Sequence, residues 1–226
     1  MKKIFKLPAV EDFTDYRKSI NLAIFTVYVI VSFLTLAFSP RPFETYFIVL
    51  SIIFPFTLYF YRKVLLRDLK LLKENWLKYL IFGFLIYTPI TIVLGLIGSV
   101  IFILLGGTGV SPNNLAATSA LEQSVILGVV AMTICAPVIE ELMFRRILKL
   151  TIKNRVVFYF LTSLLFGLAH IIVDFSFPAS FPFIMTYFMT ALGWAFLYER
   201  TNNIWLPIIS HMINNIVGVV VLFSQI

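Results

Sequence analysis

The sequence predicts an all-α fold, a polytopic transmembrane helical bundle of about seven spans plus an interfacial amphipathic helix. Three observations predict it. Hydrophobic residues make up 60% of the 226 and charged residues only 13%, with a mean hydropathy of +0.97; a soluble domain carries about 25% charge. The apolar residues fall in runs near the ~20 that a bilayer core requires. The basic residues cluster at alternate ends of those runs, as cytoplasmic loops do.

Met1 to Ser19 is a polar, charged tail expected in the cytoplasm or at the interface. A cleavable signal peptide has a short apolar core close to its start. Here a mixed tail precedes a span-length segment, so the first helix is expected to be retained. Ile20 to Phe38 is the first span, and Ser39-Pro40-Arg41-Pro42 a tight connection. Thr45 to Tyr61 is the second, with Pro55 inside it. Arg62 to Lys78 sets six basic residues among spaced leucines, the pattern of an interfacial amphipathic helix; a calmodulin-like target is the weaker alternative. Tyr79 to Leu105 is the third span, kinked at Pro89, and Gly106 to Ala120 a loop without a basic residue. Glu122 to Leu150, Val156 to Val173, Phe183 to Tyr198 and Ile204 to Phe223 complete the seven, with a Phe/Pro-rich connection at Asp174 to Pro182.

With the N-terminus inside, this threading leaves only Arg41 of the 18 basic residues outside. The asymmetry predicts a cytoplasmic N-terminus and an external C-terminus in an integral membrane protein, lodged in the plasma membrane if the cell is prokaryotic. The net charge of +7 reflects this placement and not an affinity for nucleic acid. The single cysteine, Cys135, cannot form an intramolecular disulfide and reads as a small packing residue. No internal repeat is visible. The expected partners are the lipid bilayer and a membrane-associated peptide or protein, and the sequence carries no signal of oligomeric state.

The chain is organised around Ala136-Pro137-Val138-Ile139-Glu140-Glu141-Leu142-Met143-Phe144-Arg145-Arg146. Acids inside an apolar span are costly unless paired or wet, and mark functional sites. Residues four apart share a helix face, so Glu141 reaches Arg145. Glu140 is offset from Glu141 by roughly 100°, so the two carboxylates are expected to diverge, with Glu140 the chemical one. The bland alternative is that both only pair with Arg145 and Arg146 at a helix end.

Three more polar groups interrupt later spans: His170, one turn after Phe166, and His211 with Asn215 four residues on. His170 and His211 are the only two histidines. A lone histidine in an apolar helix is usually a packing residue, but two of two in spans, beside a glutamate pair, indicate a site. Peptide hydrolysis needs a water, a base and donors to the oxyanion. Glu140 supplies a base, His170 shares the water, and His211 and Asn215 donate to the oxyanion. Rises of ~1.5 Å per residue put Glu140 ~15 Å, His211 ~10 Å and His170 ~21 Å from their helix ends. Helix tilt brings these depths together, at a polar cavity open to the cytoplasmic side. Glutamate with two histidines is also the ligand set of a catalytic zinc. If a divalent metal is bound, Glu140, His170 and His211 hold it. A metal-free route is slightly favoured, since the sequence shows no carboxylate partner for the histidines and lacks the helical H-E-x-x-H pattern.

Glu140-Glu141-x-x-x-Arg145, Phe166-x-x-x-His170 and His211-x-x-x-Asn215, in order and on separate helices, resemble the three motifs of the CPBP family. That family contains type II CAAX prenyl endopeptidases and bacteriocin-processing or self-immunity (Abi) proteins. Tyr198-Glu199-Arg200-Thr201 and Ile204-Trp205-Leu206-Pro207 are similar too. The resemblance covers about Leu121 to Val219. It implies an N-terminal part, 1–120, of tail and three spans, and a catalytic core at 121–226 within one membrane domain. It further implies an intramembrane endopeptidase in which Glu140 and His170 activate water, His211 and Asn215 stabilise the oxyanion, and Glu141, Arg145 and Phe166 support them. Prenylated CAAX chains, bacteriocin leaders and signalling-peptide precursors all fit as substrates. The alternatives are a non-catalytic membrane scaffold or bacteriocin self-immunity protein, and an ion-coupled transporter. The last lacks the matching pair of broken helices expected of inverted repeats.

Overall fold

The computed structural model describes residues 18–38, 42–171 and 179–224, and their regular secondary structure is helical. Helix α1 spans Lys18–Phe38 and α2 Pro42–Glu74. α3 is Trp76–Leu104, α4 Pro112–Gln123 and α5 Val125–Thr151. α6 is Arg155–Ala169, α7 Phe181–Thr201 and α8 Trp205–Phe223. The expected polytopic helical bundle is present, with a different count of spans. Among the described residues, 5 helices are long and apolar enough to cross a membrane: Phe47–Glu74, α3, α5, α7 and α8. Ser19–Ser32 and α6 are shorter apolar helices. The 15 residues of α6 rise only ~22 Å, less than a ~30 Å hydrocarbon core.

The expected interfacial helix is not a separate element. α2 runs unbroken for 33 residues to Glu74, and Lys78 belongs to α3. Tyr61, Val64, Leu65 and Asp68 share one helical face and are buried, so this stretch packs on the protein while Arg62, Lys63, Lys70 and Lys73 stay exposed. The expected loop after the third span contains α4. Ser111 caps it, its Oγ accepting the Asn114 N–H at 3.1 Å, and Pro112 occupies the first turn, where a proline loses no helical bond. α5 begins at Val125, later than expected, because Ser124 caps it. The N-terminal tail up to Arg17, the Ser39 to Arg41 connection, residues 172–178 and the last two residues lie outside the described set.

α5 is the central helix. Its second half is buried on every side, from Val138 and Ile139 through Leu142, Met143, Phe144 and Ile147. A stretch buried all round belongs in the core of a bundle, and the charged residues it carries must find partners there. Two wide, π-type turns precede prolines, at Leu80–Tyr87 before Pro89 and at Ala131–Cys135 before Pro137. Proline has no N–H and crowds the preceding turn, and such turns recur at functional sites. A third, Glu141–Ile147, falls on the charged stretch itself.

α7 packs closely on α3 and α6. Small residues permit this approach, as is usual between membrane helices. A Cβ added at Gly193 would lie 2.7 Å from Thr91 Cα, and one at Gly98 2.9 Å from the Met185 carbonyl oxygen. Backbone cannot yield as a flexible side chain does. Gly193→Ala is therefore expected to destabilise the fold by ~1–3 kcal/mol through overpacking. Thermal unfolding of the detergent-solubilised protein checks this, and an unchanged midpoint would mean that α3 and α7 can separate freely.

Candidate active site

The wide turn before Pro137 opens the backbone of α5. The Ala136 N–H bonds Ala131 O, and Pro137 has no N–H, so Met132 O loses its usual helical donors. A carbonyl in the core needs another partner. Asn215 Nδ2 on α8 supplies it at 2.8 Å. One amide hydrogen of Asn215 thus ties α8 to α5, and the second is left for other work.

One turn nearer the N-terminus of α8, His211 meets both glutamates. Glu141 Oε1 accepts from His211 Nδ1 at 2.9 Å, and Glu141 Oε2 lies 3.1 Å from Arg145 Nε. Glu140 Oε2 stands 3.8 Å from His211 Nε2. The pairing of Glu141 with Arg145 is as the four-residue spacing requires. The two carboxylates reach different atoms and still meet one residue, because an imidazole has a nitrogen on each of two edges. Side chains diverging from adjacent positions can therefore meet one ring from either side. Glu141 also gives His211 the carboxylate partner that the sequence did not reveal. Such partners fix a histidine's tautomer: with Nδ1–H held by Glu141, a neutral His211 turns its Nε2 lone pair towards Glu140.

Burial separates the two acids. The Glu141 side chain is wholly enclosed, whereas Glu140 keeps 15% of its side-chain surface. Arg145 is fully buried; it donates Nη2 to Ala191 O at 3.2 Å and sits 4.7 Å over the Phe166 ring. The guanidinium is thus held by a carboxylate, a carbonyl and a π face, which together replace its hydration.

His170 closes α6. Its Nδ1 donates to Phe166 O at 2.8 Å, which leaves Nε2 as the accepting nitrogen of a neutral ring. Phe166 stacks on one face of that ring at 4.2 Å and Tyr187 stacks against it at 4.6 Å. Phe166 also meets His211 edge-on at 5.7 Å, so one aromatic ring touches both histidines. Trp194 stacks on His211 at 3.9 Å and donates Nε1 to Ser210 Oγ at 3.2 Å. Sequence reasoning missed Trp194 and Tyr187, since an aromatic in an apolar helix reads as core. A cavity of about 410 Å³ lies elsewhere, among Leu105, Thr108, Pro112 and Ser180.

If a metal were bound, Glu140, His170 and His211 would be the residues expected to hold it. Among the described residues, no three His, Cys, Asp or Glu side chains are grouped as a metal ion requires.

Fold and site define a helical membrane protein with a buried Glu–His–Glu centre, an aromatic collar and one glutamate that is not wholly enclosed. Residues 122–217 match the family model described as "Type II CAAX prenyl endopeptidase Rce1-like", so this segment is similar to that family. It is 30% identical over 124 residues to "Putative membrane peptidase YdiL" of Bacillus subtilis (strain 168), covering 54% of this chain and 47% of the relative. It is 32% identical over 128 residues to "Membrane-embedded CAAX protease MroQ" of Staphylococcus aureus (strain USA300), covering 53% and 47%. The chain thus spans about half the length of the curated relatives it matches. No solved structure matches it.

Proposed function

We propose that this protein is an intramembrane endopeptidase that hydrolyses peptide bonds of membrane-associated peptides or proteins with a water activated by Glu140. The observation that carries the reading is the 3.8 Å gap between Glu140 Oε2 and His211 Nε2. It is too long for a direct hydrogen bond and suits a water bonded to both atoms. Glu140 takes one proton from that water while its oxygen bonds to the scissile carbonyl carbon. The carbonyl oxygen becomes the oxyanion, to which the second amide hydrogen of Asn215 donates, while the neutral His211 accepts the water's other hydrogen at Nε2. As the C–N bond breaks, the proton on Glu140 passes to the leaving nitrogen, giving a carboxyl end and an amine end. His170, through Nε2, helps to orient the water. Glu141 and Arg145 hold His211 in register, and Phe166 spaces the two histidine rings.

The test is cleavage of a panel of membrane-bound peptides, prenylated and unprenylated, by the purified protein and by Glu140→Ala. Each is run in chelator and in added zinc. Cleavage that survives the chelator and vanishes in the variant supports the glutamate route. Loss in chelator with recovery in zinc would replace it with a metal-assisted one. No cleavage of any peptide favours the scaffold or immunity reading.

In the orientation proposed here, α1 and the shorter α6 cross together with the five longer helices, the N-terminus and the basic end of α2 face the cytoplasm and the C-terminus is external, as the distribution of lysine and arginine favours. Reporter fusions after Lys73 and Lys153 are expected to report cytoplasm, and fusions after Pro112 and Ile226 the outside. A cytoplasmic signal after Ile226 would mean that α8 does not cross.

A further inference from the structure

We propose that Asp68, on α2 and outside the family-matched segment, is a positioning residue that sets the axial place of His211 by capping α8 from another helix. The inference rests on the endopeptidase reading only for its kinetic consequence.

The first N–H groups of a helix have no partner inside it; at α8 Asn203 Oδ1 accepts the Trp205 N–H at 3.0 Å. The Ile204 N–H is taken from 136 residues away: Asp68 Oδ2 accepts it at 2.8 Å. A carboxylate there also meets the positive end of the helix dipole. Asp68 is completely buried, and its Oδ1 accepts from Arg67 Nε at 2.7 Å. Two further bonds fasten the same junction. Asn203 Nδ2 donates to Asp68 O at 2.8 Å, and Trp205 Nε1 donates to Leu65 O at 2.8 Å. Arg146, on the helix that carries Glu140, lies within electrostatic reach of Asp68 and donates to Tyr198 OH at 3.2 Å. The Asp68 carboxylate therefore stands between the helix bearing the proposed base and the helix bearing its histidine partner.

Geometry carries the effect to the site. His211 is seven residues, or two turns, beyond Ile204, on the same face and ~10.5 Å along the axis. A helix is stiff over two turns, so a slip at Ile204 displaces His211 against Glu140 and Glu141. A tenth-nanometre error between a base and its partner costs up to about a hundredfold in rate.

The protein has only two histidines, so selective 15N-histidine labelling gives two ring systems in the NMR spectrum, assigned with His170→Gln. Asp68→Ala is expected to move the His211 ring resonances, leave those of His170 in place, and lower kcat at least tenfold with KM little changed. Asp68→Asn keeps an oxygen for the Ile204 N–H and is expected to restore most of both. Trp205→Phe removes only the bond to Leu65 O; it serves if Asp68→Ala does not fold, and should shift the same His211 signals by less. Lys70→Ala, exposed on the opposite face of α2, should change neither. Folded Asp68→Ala and Trp205→Phe proteins with wild-type His211 resonances would overturn the positioning role whether or not any peptide is cleaved. A wild-type protein that cleaves nothing, yet shows the His211 shifts on substitution, would overturn only the enzymatic reading.

Discussion

Glu140→Gln is expected to lower peptide cleavage by about 10³-fold, the range general-base catalysis supplies, with little change in thermal stability. The amide keeps the shape of the side chain and removes its basicity. Glu140 is the partly exposed acid, and it approaches His211 at 3.8 Å. Among the described residues its Oε2 makes no hydrogen bond that would be lost with its charge. Initial rates on a membrane-bound peptide, beside melting curves of the same preparations, check both halves. A variant that retains more than a tenth of the activity would remove Glu140 from the role of base.

Glu141→Gln is expected to behave differently, with a loss of ~3–5 kcal/mol in stability, as when one member of a buried ion pair is removed, and a loss of activity as well. Arg145 would be left charged and fully enclosed, 3.1 Å from an amide, and His211 would lose the anion at Nδ1. The double variant Glu141→Gln/Arg145→Met separates these effects. Replacing a buried pair by apolar volume is often neutral for stability, so most of the melting temperature should return. Activity should not, because His211 still lacks its carboxylate. Activity returning along with stability would mean that Glu141 acts only as the arginine's partner. Equal losses of activity at equal stability in Glu140→Gln and Glu141→Gln would erase the distinction between the two acids.

The sequence by itself determined that this is a helical membrane protein and which polar groups sit in its helices. Both are local properties. Apolar run length and the sign of flanking charges are written residue by residue, and a four-residue spacing is enough to pair Glu141 with Arg145 and Phe166 with His170. What joins different helices was decided only by the tertiary structure. No spacing rule connects Glu141 to His211, 70 residues on, Met132 to Asn215, 83 on, or Asp68 to Ile204, 136 on. Each bond exists because packing buries a group that must then find a partner. For Met132 a local feature, the proline at 137, frees the carbonyl, but which side chain answers depends on the helix laid beside it. The same reason bears on Arg62 to Lys78, most of which continues α2 and is not a separate element. Charge pattern alone cannot tell a helix lying on lipid from one whose apolar face rests on protein, and Asp68, the acid on that apolar face, acquired its meaning only once α8 ended against it.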